Sequence, residues 1–217
     1  QVNGLAVFDL GDHAFGHPGR ISASLGLGRE GVVNIDRESN LSGPFHTKGT
    51  LILAGFLRNR FGGNGPLTLT ASLVMEQSYG SIDGDSATLA ETLALISRVS
   101  GAPLRQDLAI TGSMDQNGRA QAIGGVNIKI EGFFRLCEAR GLTGKQGVVV
   151  PAANLKNLML PQDIVAAVRK KKFSIYAVEH LDQAIEIFTG LPAGEPNAKG
   201  VYPKGSVNYL VEKELER

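Results

Sequence analysis

The chain has 217 residues, a net charge of +1 at pH 7, one cysteine and no tryptophan. This length suits a single domain with its own hydrophobic core, and the balanced charge argues against a general attraction to nucleic acid or to anionic membranes. The single cysteine, Cys137, excludes an internal disulfide framework and favours a reducing, cytoplasmic compartment, and no apolar run approaches the roughly 18 residues that a membrane span needs.

The first 60 residues contain several segments typical of β-strands. Residues 2–8 are mostly apolar, residues 21–27 alternate in hydrophobicity, and residues 31–35 follow as a third short segment. Residues 51–57 fit either a strand or the start of a helix. We expect residues 41–48, which are rich in turn-forming side chains, to form a connecting loop.

Two patterns in this region resemble binding motifs but lack the required context. Residues 26–31 match G-x-G-x-x-G, yet a strand-like segment follows where a nucleotide site needs a helix, so we predict a hairpin turn. His13 and His17 are four positions apart, but Pro18 is among the residues that interrupt a helix there. We therefore predict a loop and no metal site.

A turn-rich stretch leads to Ser86. Residues 79–85 favour turns, and residues 87–99 have the apolar periodicity of a helix. The Ser86 hydroxyl is thus expected at a helix N-terminus, where free N–H groups and the helix dipole stabilise developing negative charge. A serine in this place is most often only a helix cap, and Thr88 and Glu91 have the spacing of a capping box.

A hairpin and a second helix follow. Residues 104–113 and 119–123 are strand-like, and the Asn117-Gly118 pair between them is a strong hairpin signal. Residues 127–139 predict a helix with Lys129 in its first turn. A lysine is a base only when it is neutral, and both apolar neighbours and the positive helix end lower its pKa. A lysine on a helix is nevertheless most often solvated.

The remaining sequence alternates between strands and helices. We predict strands at 147–150 and 173–178 and helical segments at 154–160, 161–171 and 180–188. The pattern indicates an α+β fold with α/β character, in which helices pack on mixed sheets and hairpins.

The last part of the chain changes in composition. Residues 191–204 are rich in proline and glycine, and residues 206–217 fit a short helix. We therefore divide the chain into a main domain at 1–190 and a linker with a C-terminal helix at 191–217. The basic run at 169–172 lacks interleaved aromatic residues and predicts a solvated helix end rather than a nucleic-acid contact.

Three blocks of sequence resemble one protein family. They are residues 84–87 (GDSA), 105–113 (RQDLAITGS) and 124–130 (GGVNIKI). In this order and spacing they resemble the proteolytic domain of the Lon family of ATP-dependent serine proteases. The resemblance is closer to the archaeal-type branch and its bacterial relatives than to the common bacterial form, and it extends from residue 2 to about residue 190.

The resemblance implies a serine endopeptidase with a Ser–Lys dyad. Ser86 matches the nucleophile, Lys129 matches the general base, and Thr111 matches the threonine that orients the lysine amine. We expect the backbone N–H groups of Asp85 and Ser86 to form the oxyanion hole. An exposed strand edge binds extended polypeptide through main-chain hydrogen bonds, and we assign this role to the strand end before the nucleophile loop. Its residues are Leu73, Val74, Met75 and Glu76.

The family also implies partners that lie outside this sequence. Its members carry an AAA+ module that uses ATP and Mg²⁺, form hexameric rings and cleave unfolded polypeptides, while the dyad itself needs neither metal nor organic cofactor. The chain begins at Gln1 rather than Met, so we expect a piece of a longer protein or a processed product.

Acidic residues before the nucleophile leave two questions open. The common bacterial form has proline where this chain has Asp85, so the local field differs. If Asp83 reaches Lys129, it stabilises the charged amine and latches the site in an inactive state. The alternatives to a protease are a catalytically silent Lon-like domain that binds extended polypeptide, and an amidase or self-processing hydrolase that uses the same dyad.

Overall fold

A computed structural model describes residues 1–26, 28, 30–64 and 69–216, and the fold is given for these residues. The strands are β1 (Val2–Asp9), β2 (Ala14–Gly26), β3 (Gly31–Asn34), β4 (Thr70–Met75), β5 (Leu108–Ile110), β6 (Ser113–Met114), β7 (Ala120–Gln121), β8 (Gly147–Pro151) and β9 (Ser174–Val178). Seven of them form one mixed sheet in the order β3-β4-β2-β1-β5-β8-β9, and β6 pairs with β7. In the sheet, β2 runs antiparallel to both of its neighbours, and the other neighbouring strands are parallel.

Helices cover this sheet. They are α1 (Ile35–Glu38), α2 (Pro44–Phe61), α3 (Thr88–Ser100), α4 (Val126–Arg140), α5 (Gln162–Arg169), α6 (Leu181–Thr189) and α7 (Val207–Leu215), with 3-10 turns at Gly62–Asn64 and Ala152–Asn157. The mixed sheet with packed helices confirms the predicted fold class. None of the helices formed by the described residues is long and apolar enough to cross a membrane.

Two apolar cores lie on opposite faces of the sheet. Side chains alternate across a strand, so Val2 and Leu5 of β1 point to opposite faces. Val2 belongs to the larger core with α2, α3, α6 and α7, and Leu5 belongs to the smaller core with α4 and α5. Helices α3 and α4 therefore lie on opposite faces of the sheet.

Helix α4 lies very close to β2. A Cβ atom added at Gly132 would be 1.8 Å from the carbonyl oxygen of Gly16, and one added at Gly16 would be 2.2 Å from the carbonyl oxygen of Ile128. Backbone atoms cannot rotate away as side chains do, so neither position has room for a side chain. The two glycines thus fix the distance between α4 and the sheet, and with it the position of Lys129.

The structure corrects two sequence predictions near the N-terminus. Residues 41–48 are not wholly a loop, because α2 begins at Pro44. Proline suits the first helical position, where its fixed φ fits the helix and no N–H donor is needed. His17 is not in a loop either; it lies in β2, opposite Ala6 of β1.

Other predictions hold or fall outside the described residues. The hairpin around Asn117-Gly118 is confirmed as the β6–β7 connection, in which Gly118 has a φ of +85°. The predicted turn at 26–31 includes positions 27 and 29, which lie outside the described residues.

The C-terminal helix joins the main core. Val207 and Val211 of α7 are fully buried and belong to the larger core, which also contains α3. Ser206 caps this helix by accepting a hydrogen bond from the N–H of Tyr209. The division of the chain at residue 190 stays a prediction.

The close approach of α4 and β2 predicts the effect of Gly132→Ala. Alanine favours a helix by about 1 kcal/mol over glycine, but overpacking against backbone costs roughly 1–3 kcal/mol. We expect a net loss in the free energy of unfolding, measured by urea denaturation. Gly62→Ala is the control, because a Cβ there meets nothing within 4 Å. A Gly132→Ala variant as stable as the native chain would contradict the tight packing.

Candidate active site

The backbone of Ser86 is fixed to the end of β5. The N–H of Gly112 donates to the carbonyl oxygen of Ser86 at 2.8 Å, and the Thr111 hydroxyl donates to the same oxygen at 3.2 Å. The N–H of Leu89 in turn donates to the carbonyl oxygen of Gly112 at 3.0 Å. These three bonds join the start of α3 to the carboxyl end of a central strand.

The Ser86 side chain does not cap this helix. The N-cap residue of α3 is Ala87, and it makes no side-chain capping bond. The Thr88 hydroxyl instead donates to the carbonyl oxygen of Asp85 at 2.7 Å. The structure thus leaves the Ser86 hydroxyl available for another partner, although sequence position alone allowed a capping role.

Lys129 supplies that partner from the opposite face of the sheet. Helix α4 begins after Gly125, whose φ of +67° is a left-handed conformation that glycine adopts readily. The Lys129 Nζ atom lies 2.8 Å from Ser86 Oγ and 3.2 Å from Thr111 Oγ1. The structure therefore brings together the three residues that the sequence blocks singled out.

Thr111 constrains the direction of the lysine amine. Its side chain is fully buried, and its hydroxyl proton is committed to the Ser86 carbonyl oxygen. Only the lone pairs of Thr111 Oγ1 then remain for Lys129, so the amine must donate to them. A neutral amine that donates there can turn its own lone pair toward the Ser86 hydroxyl.

Burial makes a neutral lysine accessible near physiological pH. Lys129 is only 3% exposed, and loss of hydration lowers its pKa to about 8. The negative charge of Asp85 opposes this shift by favouring the ammonium form. At a pKa of about 8, roughly one lysine in ten is neutral at pH 7, against about one in a few thousand at the unperturbed value.

The two acidic residues before Ser86 have separate partners. Asp83 Oδ1 accepts hydrogen bonds from the N–H groups of Phe45 and His46 in the first turn of α2 and from its neighbour Gly84. These backbone bonds, with that of Gly84 first, lower the pKa of Asp83. The contact between Asp83 and Lys129 that a latch requires is not formed in this structure, because the carboxylate is turned toward α2.

Of these two acidic residues, Asp85 is the one whose charge raises the pKa of Lys129. Its Oδ2 accepts a hydrogen bond from the Ser113 hydroxyl at 2.8 Å, which holds the carboxylate beside the site. The backbone N–H groups of Asp85 and Ser86 donate to no acceptor within the part of the chain that the structure describes. They are available as donors to a ligand, as the oxyanion prediction requires.

A cleft of about 600 Å³ opens beside the Ser86 hydroxyl and the Lys129 amine. Residues 5–9 of β1 line it, together with the loop around Ile82 and the Gly124-Gly125 turn. The cleft thus has a strand along one side and the Ser86–Lys129 pair at its base.

The substrate strand predicted at Leu73, Val74, Met75 and Glu76 is wrong as an exposed edge. β4 lies between β2 and β3 in the sheet, and Leu73 is fully buried and paired on both sides. The N–H of Met75 donates to Asp36, and that of Glu76 donates to the carbonyl oxygen of Arg20. Met75 still contributes its side chain to the cleft.

The open edge belongs to β1 instead. β1 pairs with β2 along its whole length, but it pairs with β5 only at Asn3 and Gly4. Residues 5–9 therefore have one side without a neighbouring strand, and this side faces the cleft. Sequence analysis identified the strand but not its open edge, because the short length of β5 is set by tertiary structure.

The strand register shows which backbone groups face the cleft. The Arg20 carbonyl oxygen accepts from Glu76, so the polar groups of Arg20 point toward β4. These groups alternate in direction along an antiparallel strand, so those of Pro18, which is paired with Leu5, also point away from β1. The alternation in β1 then directs the N–H and C=O groups of Val7 away from β2 and into the cleft.

His17, which lines the cleft, and His13 both have aromatic neighbours. The His17 ring lies 4.5 Å from the Phe8 ring, and the His13 ring lies 6.0 Å from that of Phe15. Within the described ranges, no group of three or more His, Cys, Asp or Glu side chains has the arrangement of a metal site.

Comparison with known proteins assigns the family. The sequence profile of the Lon protease (S16) C-terminal proteolytic domain matches residues 75–189, which is more than half of the chain. The chain belongs to the Lon proteolytic domain family. The match includes Ser86, Thr111 and Lys129, so the resemblance in the three sequence blocks is confirmed.

Curated relatives come from bacteria and archaea. A Lon protease homolog of Escherichia coli strain K12 is 45% identical over 193 residues, which cover 88% of this chain and 33% of the relative. One from Haemophilus influenzae is 42% identical over 218 residues, with 100% and 36% covered. The archaeal Lon protease of Thermococcus kodakarensis is 37% identical over 111 residues, with 51% and 16% covered. The chain thus spans about a third of the first two relatives.

The burial of Lys129 predicts that its amine titrates at a lower pH than an exposed lysine does. We expect the Lys129 Cε resonance, observed by ¹³C NMR, to titrate near a pKa of about 8, against ~10.4 for exposed lysines. Lys129→Met should remove this signal, whereas Lys156→Met, at an exposed position, should leave it. Titration of Lys129 together with the exposed lysines would contradict the assigned burial of its amine.

Proposed function

We propose that this Lon domain is a serine endopeptidase that hydrolyses peptide bonds through the Ser86–Lys129 dyad. The distance of 2.8 Å between Lys129 Nζ and Ser86 Oγ carries the proposal. Membership in the Lon proteolytic domain family supports a protease, and the low pKa of Lys129 supports its role as the base.

The first step forms an acyl-enzyme. Neutral Lys129 accepts the Ser86 hydroxyl proton while Ser86 Oγ attacks the carbonyl carbon of the scissile peptide bond. The carbonyl oxygen becomes an oxyanion, which the free N–H groups of Asp85 and Ser86 stabilise at the start of α3. The Lys129 ammonium then gives its proton to the leaving amine as the C–N bond breaks.

The second step releases the acyl group. Neutral Lys129 takes a proton from a water molecule, which attacks the ester carbonyl carbon. Collapse of the second oxyanion breaks the bond to Ser86 Oγ, and the ammonium returns its proton to this oxygen. Thr111 holds the amine in one direction throughout, since its own hydroxyl proton stays on the Ser86 carbonyl oxygen.

The substrate lies extended along β1 in this proposal. Val7 presents its N–H and C=O groups to the cleft, so a polypeptide can add as a strand without a sequence requirement in its backbone. This mode suits unfolded protein segments, because a folded substrate has its backbone groups already paired.

The proposal also covers properties of the whole protein beyond this domain. We propose that an AAA+ module in the parent chain uses ATP and Mg²⁺ to unfold substrates, that the copies form a hexameric ring, and that the protein acts in the cytoplasm. This chain spans about a third of the length of the Escherichia coli and Haemophilus influenzae relatives, so this part of the proposal concerns the whole protein rather than the domain.

Peptide hydrolysis tests the dyad directly. We expect the native chain to cleave short, unstructured fluorogenic peptides without ATP, because such peptides need no unfolding. Ser86→Ala and Lys129→Met should each lower kcat by about 10³-fold or more, as removal of a nucleophile or base does in serine proteases. Ser24→Ala and Lys156→Met, at exposed positions away from the cleft, should match the native rate.

A chain that binds these peptides but cleaves none, even at high protein concentration, would favour the alternative of a silent domain that binds extended polypeptide. Cleavage that persists in Ser86→Ala would point to another nucleophile.

The β1 edge is tested by Val7→Pro. Proline removes the one N–H that β1 offers at this position but leaves the pairing with β2 intact, as is usual for proline on a strand edge. Loss of one substrate hydrogen bond of about 0.5–1.5 kcal/mol should raise KM by roughly 2–10-fold. Val7→Ala keeps the N–H and serves as the control for the lost side chain. Equal KM values for the two variants would exclude this edge as the substrate strand.

A further inference from the structure

A buried polar cluster lies beside residues 83–91, which we call the nucleophile segment. The cluster takes no part in the dyad chemistry. Its members come from four different elements and are all less than 5% exposed. They are Asn34 at the end of β3, Asp36 in α1, His46 and Thr50 in α2, and Glu91 in α3. Polar groups of this kind are seldom buried unless they are paired, so their shared location calls for an explanation.

Glu91 is at the centre of the cluster. Its Oε1 atom lies 3.0 Å from Asn34 Nδ2 and 3.5 Å from His46 Nε2. Asn34 Nδ2 also lies 3.2 Å from the Thr50 hydroxyl oxygen, and its Oδ1 accepts from the N–H of Arg37. The amide of Asn34 is thus held in one orientation, with its donors aimed at the cluster.

The second carboxylate oxygen of Glu91 is not used by these contacts. Its Oε2 atom is buried and has no hydrogen-bond partner among the described residues. Burial raises the pKa of Glu91, the charge of His46 opposes this rise, and the Asp36 carboxylate adds to it. A buried carboxyl with one orphaned oxygen destabilises the fold relative to an apolar side chain, so its presence favours a role other than stability.

His46 connects this cluster to both ends of the nucleophile segment. Its backbone N–H donates to Asp83 Oδ1 at 3.3 Å, three residues before Ser86. Its ring contacts Glu91, five residues after Ser86. One residue of α2 therefore touches the chain on both sides of the proposed nucleophile.

The packing of α2 confirms how closely it follows this segment. A Cβ added at Gly49, one turn after His46, would lie 2.5 Å from Thr88 Oγ1 and 3.5 Å from Asp85 Cβ. A small movement of α2 is therefore transmitted to the residues that flank Ser86.

We propose that His46 and Glu91 are positioning residues. They hold the nucleophile segment so that Ser86 Oγ lies at the distance from Lys129 Nζ that proton transfer needs. The proposal rests on the dyad mechanism above. The backbone N–H of His46 fixes the front of the segment through Asp83. The His46 ring and Asn34 hold Glu91, and with it the first turns of α3, and this is the contact that side-chain variants change. Neither residue touches the substrate or the reacting atoms.

Glu91→Gln tests the proposal with little change in volume. We expect kcat for peptide hydrolysis to fall by at least tenfold while KM stays within twofold, because the cleft and the β1 edge are unchanged. The Lys129 Cε resonance should also move, since Ser86 shifts relative to the amine. This second readout needs no catalytic activity, so it separates failure of the positioning role from failure of the protease function.

Thr92→Val is the matched control. Thr92 is also buried in α3, and it bonds to the carbonyl oxygen of Thr88 and the sulfur of Met114 rather than to the cluster. We expect it to lower the melting temperature but to leave kcat and the Lys129 resonance close to native values. A Glu91→Gln variant that behaves like Thr92→Val in these two readouts would reduce the cluster to a structural role.

A pair of His46 variants guards against misfolding of Glu91→Gln. Glutamine can place a side-chain nitrogen near the position of His46 Nε2, whereas alanine cannot. We therefore expect His46→Gln to keep more of the native kcat than His46→Ala and to keep the Lys129 resonance nearer its native position. Equal kcat values and equal resonances for the two variants would overturn the proposal.

Discussion

The burial of one amine against one hydroxyl is the constraint on which this structure depends. Lys129 comes from a helix on one face of the sheet and Ser86 precedes a helix on the other, and they meet 2.8 Å apart beyond the end of β5. A charged lysine in this place loses its hydration, which lowers its pKa to about 8. The destabilisation of the ammonium form is also what makes the neutral base available.

The surrounding elements keep these two groups in place. The glycine contact between Gly16 and Gly132 sets α4 on the sheet, and the bonds from Thr111 and Gly112 hold the Ser86 backbone. Helix α2 contacts the chain before and after Ser86 through His46, which bonds to Asp83 and lies against Glu91. These supports leave the side of β1 that faces the cleft free, so the site can be rigid while the cleft stays open to an extended chain.

Sequence patterns predicted the parts of the site that depend on local structure. Apolar periodicity located α3, a helix-like pattern located α4, and the family blocks singled out Ser86, Thr111 and Lys129. The substrate strand was assigned to β4 rather than β1, because the open edge results from a strand pairing that ends at Gly4. The contacts of His46 and the partner of Asp83 were missed because residues 41–48 were interpreted as a connecting loop, whereas α2 begins at Pro44. Proline also begins helices.

The most direct test of the dyad is covalent labelling of the native chain with a fluorophosphonate, followed by peptide mapping by mass spectrometry. A deprotonated Lys129 should activate Ser86 alone, so we predict one adduct per chain, on Ser86, formed at a rate that rises through a pH of about 8. The adduct should be absent from Lys129→Met. Labelling of another residue, or undiminished labelling of Ser86 without Lys129, would contradict the account.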